Sequence, residues 1–160
     1  MFTSAVDFTS SCLVGLHSGK SSDDVDFGKS VAALESLHRR GIAPTGAVLL
    51  IVDEGAHIPS SRLRRKFAEV RAISRPHRIA FITESRLARG VLTAIDWIQP
   101  PGPEHQTKAW ATVEEGILWL EEERHERLPM LRALYRDARA LARKGREAAL
   151  PPAGPAPPPR

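Results

Sequence analysis

Residues 47–52 read Ala-Val-Leu-Leu-Ile-Val, an unbroken apolar run that stops at Asp53-Glu54. A strand with one wet face alternates polar and apolar side chains. A run without alternation belongs to a central strand covered on both faces, as in a parallel sheet packed between helices. The rest of the chain has to supply the neighbouring strands and the helices.

The flanking patterns supply both. Phe2 to Phe8 and Cys12 to His17 read as two short strands, with Thr9-Ser10-Ser11 as the turn between them. Val31, Leu34 and Leu37 give one apolar face to a helix over residues 24–40, and Gly41 stands where a C-cap is wanted. Pro59-Ser60-Ser61 opens a second helix, with Leu63, Phe67, Val70 and Ile73 on one side and Arg62, Arg64, Arg65 and Lys66 mostly on the other. Arg78 to Thr83 is the next strand. Ser85 caps a helix carrying Leu87, Val91, Ile95 and Ile98, which Pro100-Pro101 must stop. Thr107 to Ala111 is a short strand, and Thr112 with Glu115 forms a capping box for a helix that turns Val113, Ile117 and Leu120 inward.

Strands alternating with helices in this order predict an α/β fold. The sheet is single, mixed and mostly parallel, of about five strands, with the opening hairpin adding an antiparallel strand. Residues 1–123 form this α/β domain and residues 124–149 a basic amphipathic helix. Residues 150–160, PPAGPAPPPR with the preceding Leu150, hold 6 of the 13 prolines and are expected to be a disordered tail.

Charge follows the same division. The chain of 160 residues has a net charge of +4. Residues 1–123 hold 14 Lys and Arg against 16 Asp and Glu, whereas residues 124–160 hold 9 against 3. A nucleic-acid-binding domain spreads positive charge over the folded face that docks, so nucleic acid is not an expected partner. The single cysteine, Cys12, excludes an internal disulfide framework. With no secretory pattern at the N-terminus and no run of roughly 18 apolar residues, a cytoplasmic protein without a stable membrane anchor is expected.

Gly15-Leu16-His17-Ser18-Gly19-Lys20-Ser21, between a strand and a helix, approaches the phosphate-binding pattern GxxxxGK[ST]. Three residues rather than four separate its glycines, which alters the ring of amides that must converge on a phosphate. With Asp53 and Glu54 as magnesium-positioning acids, Gly15, Gly19, Lys20 and Ser21 make a degenerate nucleotide site the alternative reading. A polar strand-to-helix turn explains the same residues. Asp53, His57 and Ser60 compose a hydrolytic triad only if the fold brings them together, and no GxSxG elbow is present. The six histidines form no HxxxH pair, so no metal site and no cofactor are expected.

The C-terminal helix carries Leu128, Leu131, Leu134, Ala138 and Leu141 at helical spacing, with Arg132, Arg136, Arg139 and Arg143 as a stripe. Its apolar face either docks on this protein's own sheet or binds a partner. A protein partner or self-association, a homodimer included, ranks above lipid, because bulky aromatic anchors are missing.

The stretch from Ala47 to Asp53 through Ser60-Ser61, the strand Arg78 to Thr83 with the helix through Gly90, and the closing Thr112 to Leu120 with its Trp119-Leu120 pair resemble the STAS-like domains. These include the bacterial anti-sigma-factor antagonists and the related lipid-binding SEC14-like group. The resemblance covers residues 1–123 and implies a non-enzymatic regulatory or protein-interaction module. In its phosphorylated members a serine opening the helix after the central strand is the switch, and Ser60 and Ser61 match that position. This chain has Pro59-Ser60-Ser61-Arg62 where the family has an Asp-Ser pair followed by a small residue.

Overall fold

A computed structural model describes residues 1–18, 24–53, 60–73, 77–86, 89–90 and 105–149. The strands are β1 (Phe2–Asp7), β2 (Cys12–His17), β3 (Gly46–Val52), β4 (His77–Ile82) and β5 (His105–Trp110). The helices are α1 (Asp24–Arg40), α2 (Ser61–Ile73), α3 (Val113–Arg124) and α4 (Pro129–Ala149). The helix expected over Ser85–Ile98, the proline-rich tail and Trp97 lie outside the described residues, apart from helical residues 86 and 89–90.

The five strands make one mixed sheet in the order β1-β2-β3-β4-β5. β1 pairs antiparallel with β2, and β2 through β5 are parallel. Each parallel strand is laid down beside its predecessor in the same direction. Right-handed crossovers that always step the same way place α1 and α2 on one face. The other face is left for the elements that follow β5.

The central strand is buried along its whole length, and its side chains divide between two cores. Ala47, Leu49 and Ile51 join Cys12, Val14 and Leu16 beneath α3 and α4. Val48 and Leu50 join Leu13 and Ile79 beneath Val31, Leu34 and Leu37 of α1. The unbroken apolar run is thus explained by two apolar ceilings.

Local signals set the helix ends. The Thr112 hydroxyl accepts from the Glu115 amide, and the Glu115 carboxylate accepts from the Thr112 amide, closing the capping box that starts α3. α3 stops at His125, which adopts the left-handed conformation (φ 52°). Ser11 does the same in the β1–β2 turn (φ 50°), where its hydroxyl accepts from the Ala43 amide.

α4 is docked. Leu128, Leu131, Leu134, Ala138 and Ala142 are buried in the core that includes β1–β3 side chains. Leu141, expected in that stripe, is 49% exposed, because the row continues from Ala138 by four residues to Ala142. Of the two readings of this helix, the one in which its apolar face covers the protein's own sheet is therefore the observed one.

Candidate functional site

The parallel strands deliver their carboxyl ends to one edge, where Ser18, Asp53 and Thr83 follow β2, β3 and β4 directly. In open α/β sheets ligands gather at this edge where the strand order reverses, and here the order β1-β2-β3-β4-β5 has no reversal. The amino ends of α1 and α2 return to this edge. The backbone amide of Ser60 donates to the Asp24 carboxylate at 3.1 Å, tying the start of α2 to the start of α1.

Ser60 and Ser61 take different places there. Ser60 is half-buried, and its hydroxyl accepts a long bond from the Leu63 amide (3.4 Å), as an N-cap does. Ser61 is exposed, and its hydroxyl accepts from an Arg64 guanidinium nitrogen at 3.0 Å. The first turn of α2 has no acidic residue. Arg62, Arg64 and Arg65 instead add positive charge to the positive end of the helix dipole. The negative charge at this helix start comes from outside α2, from the Asp24 carboxylate at the Ser60 amide.

Asp53 sits beside the end of β2, where its amide donates to the His17 carbonyl. Its carboxylate accepts from Arg139 of α4 at 3.2 Å. The Arg139 guanidinium lies partly buried, which pushes its pKa down. A bond to the Tyr135 oxygen and the Asp53 charge outweigh this and push it up.

The first glycine of the nucleotide pattern lies in a strand. Gly15 is inside β2, in register with Ser4 on one side and Leu50 on the other. An added Cβ there would lie 3.0 Å from both Leu50 and Phe2, so the glycine serves packing under the ring of Phe2. An in-register strand residue supplies no loop amide to a phosphate. Gly19, Lys20, Ser21, Glu54 and His57 lie outside the described residues. Among the described residues no group of three or more His, Cys, Asp and Glu side chains gathers.

The arginine stripe of α4 also splits. Arg132 bonds Glu114 at 2.6 Å and Glu121 at 3.0 Å, and Arg139 bonds Asp53, so these two expected interaction residues are engaged internally. Arg136 and Arg143 remain exposed. The cause is the docking of α4, which brings one flank of the stripe against α3 and the sheet edge.

Three polar residues of structural weight carry little signal in the sequence. Glu121 is buried and accepts from the Leu128 amide, Arg127 and Arg132, each at 3.0 Å. Burial pushes its carboxyl up, but these three donors hold it below the usual carboxylate range. Its signal was a charged residue on the apolar row of Ile117 and Leu120. Asp26 accepts from Lys29 and from the Met1 amino group, each at 2.9 Å. Burial opposes its ionisation, and those donors overcome it, leaving the carboxyl at about 2. His17 is stacked on Phe27 at 4.3 Å and tilted on Phe2 at 4.8 Å. Burial pushes its imidazole down to about 4.

No family model, curated protein or solved structure matches this chain. Among the described residues, no helix is long and apolar enough to cross a membrane.

Proposed function

We propose that this chain is a non-enzymatic, STAS-like regulatory or protein-interaction module of the cytoplasm, switched by phosphate at the start of α2. The observation that carries the reading is the exposed Ser61 in a first helical turn that holds Arg62 and Arg64 and no acid, beside a half-buried Ser60 tied to Asp24. A phosphate on Ser61 gains the helix dipole and the Arg64 and Arg65 guanidiniums. A phosphate on Ser60 stands against the Asp24 carboxylate and loosens the α1–α2 junction. Either event changes what the sheet edge presents to a protein partner without a chemical step by the chain itself. Asp53, the acid a nucleotide site would need, is neutralised by Arg139, and Gly15 is in a strand; both favour a binding surface over a nucleotide centre.

Phosphopeptide mapping of the full chain recovered from its own cells, through growth and stress, tests this. The proposal expects phosphate on Ser61 or Ser60 in at least one condition. A chain unmodified at both serines in all conditions contradicts it. ATP or GTP with magnesium at about 1 mM is expected to leave the melting temperature unchanged, since only a bound ligand raises it.

A further inference from the structure

α3 and α4 lie side by side on one face of the sheet with opposite charge. α3 holds five glutamates and one arginine. α4 holds six basic residues against two acidic ones. The helices run antiparallel. α3 begins just after the carboxyl end of β5 and ends where Arg124 donates to the Ser10 carbonyl at the opposite edge. α4 starts near there and brings Arg139 back to Asp53.

Part of this complementarity is used within the chain, by Arg132 with Glu114 and Glu121. Part is left facing outward. Glu122 and Arg136 are exposed and enter no ion pair among the described residues. Leu118 lies on the same α3 surface, 49% exposed. An open groove of about 680 Å³ runs between the helices, lined by Arg127, Arg132, Tyr135 and Arg136 above Glu121.

We propose that this face binds a second copy of the chain. A two-fold axis between α3 and α4 lays α3 of one copy over α4 of the other. Glu122, which with Leu118 and Arg127 lines a hollow adjoining the groove, is then turned toward the partner's Arg136, and the reciprocal contact forms at once. A face that carries both a charge and its complement is what an isologous interface requires. A uniformly acidic partner, a nucleic acid or an anionic membrane meets the glutamates of α3 and is repelled. This inference rests on the reading of the chain as an interaction module and is independent of the serine switch.

Sedimentation of the full chain from about 1 to about 200 µM, at about 50 mM and about 0.5 M salt, reads the result directly. The wild type is expected to dimerise at low salt and to weaken as salt rises. Glu122→Lys and Arg136→Glu are each expected to be folded by circular dichroism and monomeric. Their equimolar mixture is expected to recover the dimer, because the swapped pair and the native pair are both attractive in the heterodimer. If either reversal unfolds, Glu122→Gln and Arg136→Gln take its place, each weakening the dimer about tenfold. A wild type that stays monomeric throughout, variants that dimerise as the wild type does, or a mixture of folded variants that stays monomeric overturns the proposal. The phosphate mapping above is unaffected by any of these results.

Discussion

Arg139 of α4 donates to the Asp53 carboxylate at the end of the central strand, 3.2 Å away and 86 residues earlier in the chain. Two residues that the sequence offered to outside ligands, one to a partner and one to magnesium, are joined to each other. Both side chains stay partly exposed, at 37% and 28%, so solvent screens the pair. A double-mutant cycle with Arg139→Gln and Asp53→Asn is expected to give a coupling of about 0.5–1 kcal/mol. A coupling above about 3 kcal/mol would place the pair in the buried class instead.

The docking of α4 makes a sharper demand. Leu131 is fully buried between this helix and the sheet. Leu131→Ala is expected to cost about 3 kcal/mol in denaturant unfolding, from lost burial and the cavity left behind. Deleting residues 126–160 removes the α4 part of that core's cover, leaving only α3, and cooperative unfolding is expected to be lost. A truncated chain that melts as the full one does would show that the sheet face needs no cover.

Two helical glycines are expected to respond oppositely to alanine. At Gly116 of α3 an added Cβ would lie 2.5 Å from the Ile82 Cδ1 atom and 3.1 Å from the Ala80 Cβ, where the helix crosses β4. Gly116→Ala is expected to lose about 1–3 kcal/mol to overpacking despite the better helix propensity. At Gly28 of α1 nothing lies within 4 Å, and Gly28→Ala is expected to gain up to about 1 kcal/mol. Equal effects from the two substitutions, measured by melting, would contradict the close approach of α3 to the sheet.

The acid limb of stability is expected to report on His17. Its folded-state value is about 4 against an ordinary 6.5, so between those values the unfolded chain takes up a proton that the folded chain refuses. Stability is complete above about pH 6.5 and falls as the pH drops through that window, by on the order of 3 kcal/mol at most. His17→Gln is expected to flatten the slope between pH 6.5 and 4. A slope that survives the substitution would assign it to other groups. Asp26 acts lower, where its stabilising charge is lost as the pH falls from about 4 toward its folded value of about 2.

Much of the fold was legible because local signals agreed with packing. The run 47–52 had no alternation because β3 lies between two cores, and the Thr112–Glu115 box fixed the start of α3 to the residue. Strand ends differ from the reading by a residue or two: β3 begins at Gly46, β4 runs His77–Ile82 and β5 runs His105–Trp110. There the ladder, not the side-chain pattern, decides. The site was less legible. Ser60 meets Asp24 across 36 residues, and Arg139 meets Asp53 across 86; no local spacing encodes either contact. Gly15 fell both in the strand read over Cys12–His17 and in the phosphate pattern, because a glycine before Gly19-Lys20-Ser21 suits either. Only the strand register shows that Phe2 and Leu50 need its missing side chain.

The central claim is that the start of α2 is a charge-controlled switch for a protein partner, and differential capture measures it. Full-length wild type, Ser61→Ala and Ser61→Asp chains, each immobilised and exposed to extract of the source cells, are compared by quantitative mass spectrometry. The account predicts a protein held by one charge state and depleted about tenfold in the other, a difference of about 1.4 kcal/mol in binding. An identical set of bound proteins on all three chains would contradict it.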